Sequence, residues 1–318
     1  MSICEKNIDC RENVPLCIEL MNINHCAPHY HPHELEIIFC MRGSVSVVSS
    51  FERVRLNTGG FFTVNRSEIH CIQSSDPDNA VMTVHLNLPA LHSDAGDDSP
   101  ESKLFTFESL NGKIKQSPLF DDALTLILLS AAVYAENPAD MRLRTLAHNI
   151  TGILSDHFSY IDYVNDYQPY AENVRELSLK IMQYLYKNYR NKISLTSFAE
   201  ENYFDRAHLA HLLKDKLHRT FNACLNYLRC VNAEFLLLTT DKSNEEISEL
   251  CGFSDIKYFY SHFRSWYEKT PSRYRKEFYD LYDKPDDCIS LERDEIPALA
   301  KDFLFRHFTE KTAAEFHC

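Results

Sequence analysis

Two helix-turn-helix units in tandem, between Ile193 and Lys276, constrain this chain more than any other feature. The second unit is the clearer. A short helix from Glu245 to Cys251 runs into Gly252 and apolar Phe253, and Ser254 and Asp255 then offer N-caps for a second helix. Phe259, Phe263 and Trp266 recur at helical spacing on one face of that helix. Lys257, Tyr260, Ser261 and Arg264 occupy the other face. A helix with one aromatic face docked on a neighbour and one polar face outward suits a DNA major groove. A helical hairpin packed into a core without DNA shares the same pattern.

The first unit lies about fifty residues upstream, a divergent repeat of one module. It uses Leu195 to Glu201 as supporting helix and Arg206 to Leu217 as recognition helix. Two such helices on one scaffold can reach successive major grooves, about 34 Å apart on one face of a duplex.

The segment resembles the DNA-binding domain of AraC-type bacterial transcription regulators. The matching residues are Cys251-Gly252-Phe253-Ser254-Asp255, Tyr258-Phe259, Phe263-Arg264 and the closing run Thr270-Pro271-Ser272-Arg273-Tyr274-Arg275-Lys276. Upstream, Leu195 to Ala199, Leu209, Lys214, Phe221, Leu225, Leu228-Arg229, Ala233 and Leu236-Leu237-Leu238 also fit. There are departures. Tyr203 stands at the family's turn glycine, Asp205 at its serine cap and His218 at a second glycine, and Asn244 and Ser248 occupy positions where the family buries Ile and Ala. The resemblance puts Ala207, Ala210 and His211 toward one groove and Ile256, Lys257, Tyr260 and Ser261 toward the next. Arg206, Lys214 and Arg264 complete the expected DNA-binding set.

At 318 residues the chain has room for two domains. A net charge of −13 sits badly with DNA binding until it is divided. Residues 175–276 hold about 17 Lys and Arg against about 12 Asp and Glu, a net of about +5, which leaves about −18 elsewhere. That asymmetry marks the basic part as the nucleic-acid contact and keeps the acidic remainder off the phosphates. The 11 cysteines never form a CxxC pair, which reads as reduced thiols used as small hydrophobes. No secretory signal pattern and no membrane-length apolar run is evident, so a cytoplasmic protein without membrane contact is expected.

The amino-terminal half reads as strands. Leu35 to Met41, Ser44 to Phe51, Phe61 to Val64 and Ala80 to Leu88 are punctuated by Gly43 and Gly59-Gly60, as in a small barrel or sandwich. It resembles the cupin-like ligand-sensing domain that precedes the DNA-binding domain in many AraC-type regulators. His31-Pro32-His33, Glu36, Gly43, Gly60-Phe61-Phe62-Thr63-Val64-Asn65 and Glu68-Ile69-His70 carry that likeness. His29, His31, His33 and His70, with Glu34 or Glu36, are the right residue types for a divalent ion. Strand parity argues against it, because His29, His31 and His33 would share one face and Glu36 the other. The expected ligand site is therefore His31, His33, Glu36 and His70, hydrogen-bonding a small molecule such as a sugar, with no metal and no cofactor. A solvated, histidine-rich strand edge without ligand is the plainer alternative.

Two helices are expected at Leu119 to Glu136 and Ala139 to Phe158. The resemblance assigns them to a dimer interface, and packing on the barrel accounts for them equally well. The predicted architecture is multidomain: an all-β cupin-like barrel with covering helices (1–160), a linker (161–173), an all-α domain with two helix-turn-helix motifs (174–280) and an acidic extension (281–318), with a short helix over Ile296 to Phe308. The resemblance implies a non-enzymatic, ligand-responsive regulator, with double-stranded DNA, a small-molecule effector, RNA polymerase and a second copy of the chain as partners. A metal-dependent cupin enzyme with a helical appendage and a non-DNA adaptor are the competing readings.

Overall fold

The computed structural model describes residues 3–6, 8, 15–49, 52–92, 105–112, 114–117, 119–158, 172–216 and 219–315. The polar loop Ser93 to Ser99, the linker up to residue 171, and Leu217 and His218 lie outside the described residues. The chain divides into two compact units: residues 5–159 with 284–318, and residues 1–4 with 160–283.

The first unit is built on β1 (Cys4–Glu5), β2 (Leu16–Tyr30), β3 (Glu34–Arg42), β4 (Ser44–Ser49), β5 (Glu52–Asn57), β6 (Phe61–Val64), β7 (His70–Gln73), β8 (Ala80–Asn87) and β9 (Asp287–Ser290). The strand order is β5-β4-β7-β2-β8-β3-β6, with β1 and β9 added beside β2. The pairings along that path are antiparallel. Leu56 of β5 and Val64 of β6 come from its two ends, yet share one core cluster with Ile23, Ile38, Cys40, Val45 and Ile72. The sheet therefore curls into a barrel-like form around that core.

β3 is buried on both faces, and its period of two sorts the side chains. Ile38 and Cys40 point into the barrel cluster. Phe39 points the other way, 5.0 Å from the Phe61 ring and 5.6 Å from Phe303. There it meets a second, aromatic layer in which Phe107 lies 4.9 Å from Phe61, 5.2 Å from Phe120 and 5.0 Å from Phe158. After the short α1 (Leu88–His92), helices α2 (Phe120–Glu136) and α3 (Arg142–His157) cover this layer. α2 does so through Phe120, Leu124, Ile127, Leu128 and Ala131, and α3 through Leu143, Ala147, Ile150 and Leu154. Both helices match the sequence expectation to within a few residues.

The residues set apart as an extension fold with this unit from 284 onward. β9 pairs with Met21 to Ile23 of β2. A 20-residue helix, Ile296–Glu315, is longer than the one expected from the sequence and packs on α2 and β3. Phe303 reaches Phe39, and His307 donates to Asp121 at 2.8 Å. Part of α2, which the resemblance assigns to a dimer interface, is thus covered by the chain's own carboxy-terminal helix.

The second unit is helical: α4 (Glu172–Asn188), α5 (Leu195–Glu201), α6 (Arg206–Lys216), α7 (Phe221–Thr239), α8 (Asn244–Leu250), α9 (Ile256–Tyr267) and α10 (Pro271–Tyr282), with Ile296–Glu315 then α11 of the chain. Capping residues set the starts. Ser194 and Ser243 form capping boxes with Ser197 and Glu246. Asp205 accepts from the amide of His208, Asp255 from that of Lys257, and Pro271 occupies the first turn of α10.

Candidate functional site

In the helical unit the first core joins Ile181, Leu185, Phe198, Leu209, Leu213, Phe221 and Leu225. Leu209, Leu212 and Leu213 turn α6 inward, and Arg206, Ala207, Ala210, His211 and Lys214 are exposed. His211 is held by Asp215 one turn on, at 2.7 Å. In the second unit Phe259 and Phe263 are fully buried, and Lys257, Ser261 and Arg264 are exposed. Ile256 and Tyr260 are half-buried. Trp266 is only half-buried as well, with its ring 4.8 Å from Tyr227 and the Arg219 guanidinium 5.0 Å away. It edges this core and does not fill it.

The family departures have local solutions. The side-chain amide of Asn244 donates to the Tyr260 hydroxyl and to the Ser272 hydroxyl, both at 2.8 Å, and so joins α8, α9 and α10 by hydrogen bonds. Tyr260 therefore serves the scaffold as well as the outward face. Ser248 is buried. Tyr203 takes the left-handed backbone conformation, φ 60°, that Gly252 takes at φ 79° in the second turn. Behind α9, buried Glu234 of α7 accepts from the hydroxyls of Tyr267, at 2.7 Å, and Tyr274.

The barrel site departs from the sequence expectation. β2 ends at Tyr30, residues 31–33 form a turn, and β3 starts afresh at Glu34. Strand parity does not run through that turn, so the argument that separated Glu36 from the histidines fails. Glu36 shares the inward phase of Ile38 and Cys40, and its Oε2 lies 3.3 Å from His31 Nε2 and 2.8 Å from His70 Nε2. A bulge in β2 between Cys26 and His29 turns His29 into the same place, opposite His70 in the register. One donor atom from each of His29, His31, Glu36 and His70 lies within 4.8 Å of every other, and all four residues are buried. His33 is exposed and takes no part. A role for it in the site requires a strand that runs through residues 31–33, and none does.

Sequence reasoning missed His85. It is the register partner of Glu36 on β8, fully buried, with its ring 4.9 Å from His31. The available signal was a histidine in the middle of the apolar run Ala80 to Leu88. Burial drives Glu36 toward protonation, but His70 and His85 and the contacts from His31 and His70 outweigh it and hold the carboxyl well below its usual range. Burial lowers His70 too, yet Glu36 raises it above the ordinary imidazole value. Burial keeps His29 well below that value and pushes His85 down to about 3. The site is a buried carboxylate ringed by imidazoles of unequal basicity.

These features define a protein with a barrel-like domain that carries a buried polar site, together with a tandem helix-turn-helix domain. Residues 15–146 match the AraC-like ligand binding domain, and residues 198–277 match a helix-turn-helix domain. The chain belongs to the AraC family of transcription regulators. Among similar proteins, the HTH-type transcriptional regulator YijO of Escherichia coli K12, itself uncharacterized, is 33% identical over 116 residues, 36% of this chain and 41% of that one. The xylose operon regulatory protein of Haemophilus influenzae is 29% identical over 99 residues, 31% of this chain and 26% of that one. The chain thus spans well under half the length of these relatives. The C-terminal domain of the response regulator yesN from Fusobacterium nucleatum is 31% identical, covering 33% of this chain and 99% of that one, with a TM-score of 0.30. Among the described residues no helix is long and apolar enough to cross a membrane.

Proposed function

We propose that the protein is a ligand-responsive, sequence-specific regulator of transcription that binds double-stranded DNA through α6 and α9. One observation carries this reading. Each helix buries its apolar residues against its own unit and presents Arg206, Ala207, Ala210, His211 and Lys214, or Lys257, Ser261 and Arg264, to solvent. Basic side chains supply the salt-dependent attraction to phosphate, and the remaining exposed residues read base edges. The likeness to xylose operon regulators supports carbohydrate-utilisation genes as targets. A cytoplasmic homodimer that responds to a small effector in the barrel and acts through RNA polymerase completes the proposal. Catalysis is not part of it.

The test uses full-length protein. Duplexes are selected from a randomised pool, and the enriched sequence and a scrambled one are then titrated at several salt concentrations. Lys257→Ala should weaken binding to the enriched sequence by roughly 1–3 kcal/mol if it contacts a guanine edge. Equal loss on both duplexes would make it a phosphate contact. Folded protein that enriches no sequence and binds no duplex at low salt would overturn the proposal.

A further inference from the structure

We propose that His29, His31, Glu36 and His70 form a binding site for one divalent first-row transition-metal ion inside the sensor barrel. This goes beyond the DNA-binding reading and does not depend on it.

The argument begins with where the imidazole hydrogens go. His29 Nδ1 lies 2.7 Å from the carbonyl oxygen of Ala27, His31 Nδ1 2.8 Å from that of Lys6, and His70 Nδ1 3.0 Å from that of Glu68. A carbonyl oxygen can only accept, so each Nδ1 carries the hydrogen. In a neutral ring the Nε2 then holds a lone pair. All three rings are fixed in the same tautomer by main-chain carbonyls, the arrangement that orients metal-ligating histidines. With the rings neutral, their inward atoms and the Glu36 carboxylate are all acceptors.

Such a set is unfavourable on its own. His31 Nε2 and His70 Nε2 come within 3.3 and 2.8 Å of Glu36 Oε2. Yet none of these three buried atoms has a partner in hydrogen-bonding geometry. The contacts are close but miss hydrogen-bonding geometry. A proton can neutralise one such contact. A single cation in the middle serves all four groups, which already lie within 4.8 Å of one another.

The donor set also selects the ion. Three imidazole nitrogens and one carboxylate oxygen suit zinc, iron, manganese, cobalt or nickel, whereas magnesium and calcium favour oxygen ligands. The ligands come from the end of β2, the turn after it, β3 and β7, so an ion here would tie three strands of the sensor together.

The test takes full-length protein without a histidine tag, stripped with chelator and re-dialysed. Calorimetry and elemental analysis follow with Zn²⁺, Mn²⁺ and Ni²⁺, with Mg²⁺ as control and Co²⁺ as a spectroscopic probe. We expect one equivalent of transition ion per chain and a rise in the thermal midpoint. Uptake should be unchanged in His33→Ala and Cys288→Ser and lost in His70→Ala and Glu36→Gln. Co²⁺ should show d–d bands without a thiolate charge-transfer band. That control matters because Cys26, Asp286 and Cys288 also converge nearby, and it remains decisive if the cluster variants fail to fold. Lack of uptake by wild type, unchanged uptake in folded Glu36→Gln, or a thiolate band with Co²⁺ would each overturn the proposal. DNA titration on the same samples keeps the outcomes separate: an ion bound without DNA binding supports the site and counts against the regulator.

Discussion

Gly252→Ala is the sharpest test of the helix-turn-helix geometry. Gly252 has φ +79°, and a Cβ built there would lie 2.5 Å from the carbonyl oxygen, 2.7 Å from the carbonyl carbon and 2.8 Å from the Cα of Arg190. All three are backbone atoms in the turn that follows α4 and cannot swing aside as a side chain could. Two costs add. An L-residue in the left-handed region costs roughly 1–2 kcal/mol, and forcing a methyl into a packed site costs about 1–3 kcal/mol. The smaller unfolded-state entropy of alanine returns about 0.4–1 kcal/mol. The net loss should be about 2–4 kcal/mol, enough to lower the helical unit's thermal midpoint by ~10 °C or more. Tyr203 is the internal control. It holds the same backbone conformation at φ 60°, but its side chain is 98% exposed, so only the conformational cost applies. Tyr203→Gly should leave stability unchanged or raise it by up to about 1 kcal/mol. Urea unfolding of the full chain, with hydrogen exchange to locate the transition, measures both. A Gly252→Ala protein within about 0.5 kcal/mol of wild type, the ordinary range for surface changes, would show that the approach to Arg190 is not as close as described and refute the reasoning.

Other outcomes follow from the same packing. Phe263→Ala removes a fully buried ring that contacts Phe259, Tyr267 and Tyr274. It should cost about 3–5 kcal/mol and abolish DNA binding through unfolding, which circular dichroism would separate from a loss of contacts. Asp121 offers a pH prediction. Partial burial raises its pKa, but hydrogen bonds from Lys311 and His307 outweigh that and hold it below the ordinary carboxyl value. A depressed acid contributes stability that is complete above its unfolded pKa and fades as the pH falls through the folded one. Asp121's share in anchoring the carboxy-terminal helix should thus fade in acid, as the pH falls through its folded pKa. Asp121→Asn should reproduce the acid behaviour at neutral pH, and faster amide exchange over residues 296–311 reports it; pH-independent exchange protection there would count against the pairing.

The helical unit was legible because its signals are local. Glycine at a turn, caps at Asp205 and Asp255, and apolar residues every three or four positions specify both α6 and α9 and which faces they bury. The spacing of Phe259 and Phe263 was sufficient to make them core, and only Trp266, at the edge of that face, was misjudged. The strands at Leu35 to Met41, Phe61 to Val64 and Ala80 to Leu88 were legible through alternation and glycine turns. β2, β7 and β9 were not, since their pairing partners lie distant in sequence.

The barrel site could not be read from parity, because parity holds only within one unbroken strand. The break at residues 31–33 and the bulge before His29 re-phase the chain, which brings Glu36 to His31 and His70 and leaves His33 in solvent. His85 enters only through its register opposite Glu36, a pairing between strands almost fifty residues apart. The place of residues 284–318 was likewise a tertiary decision. Nothing local in Asp287 to Ser290 specifies pairing with Met21 to Ile23, and an amphipathic helix does not name the surface that will bury its apolar side. Local geometry determined which helices form and which faces they turn inward; long-range pairing determined which buried polar groups meet.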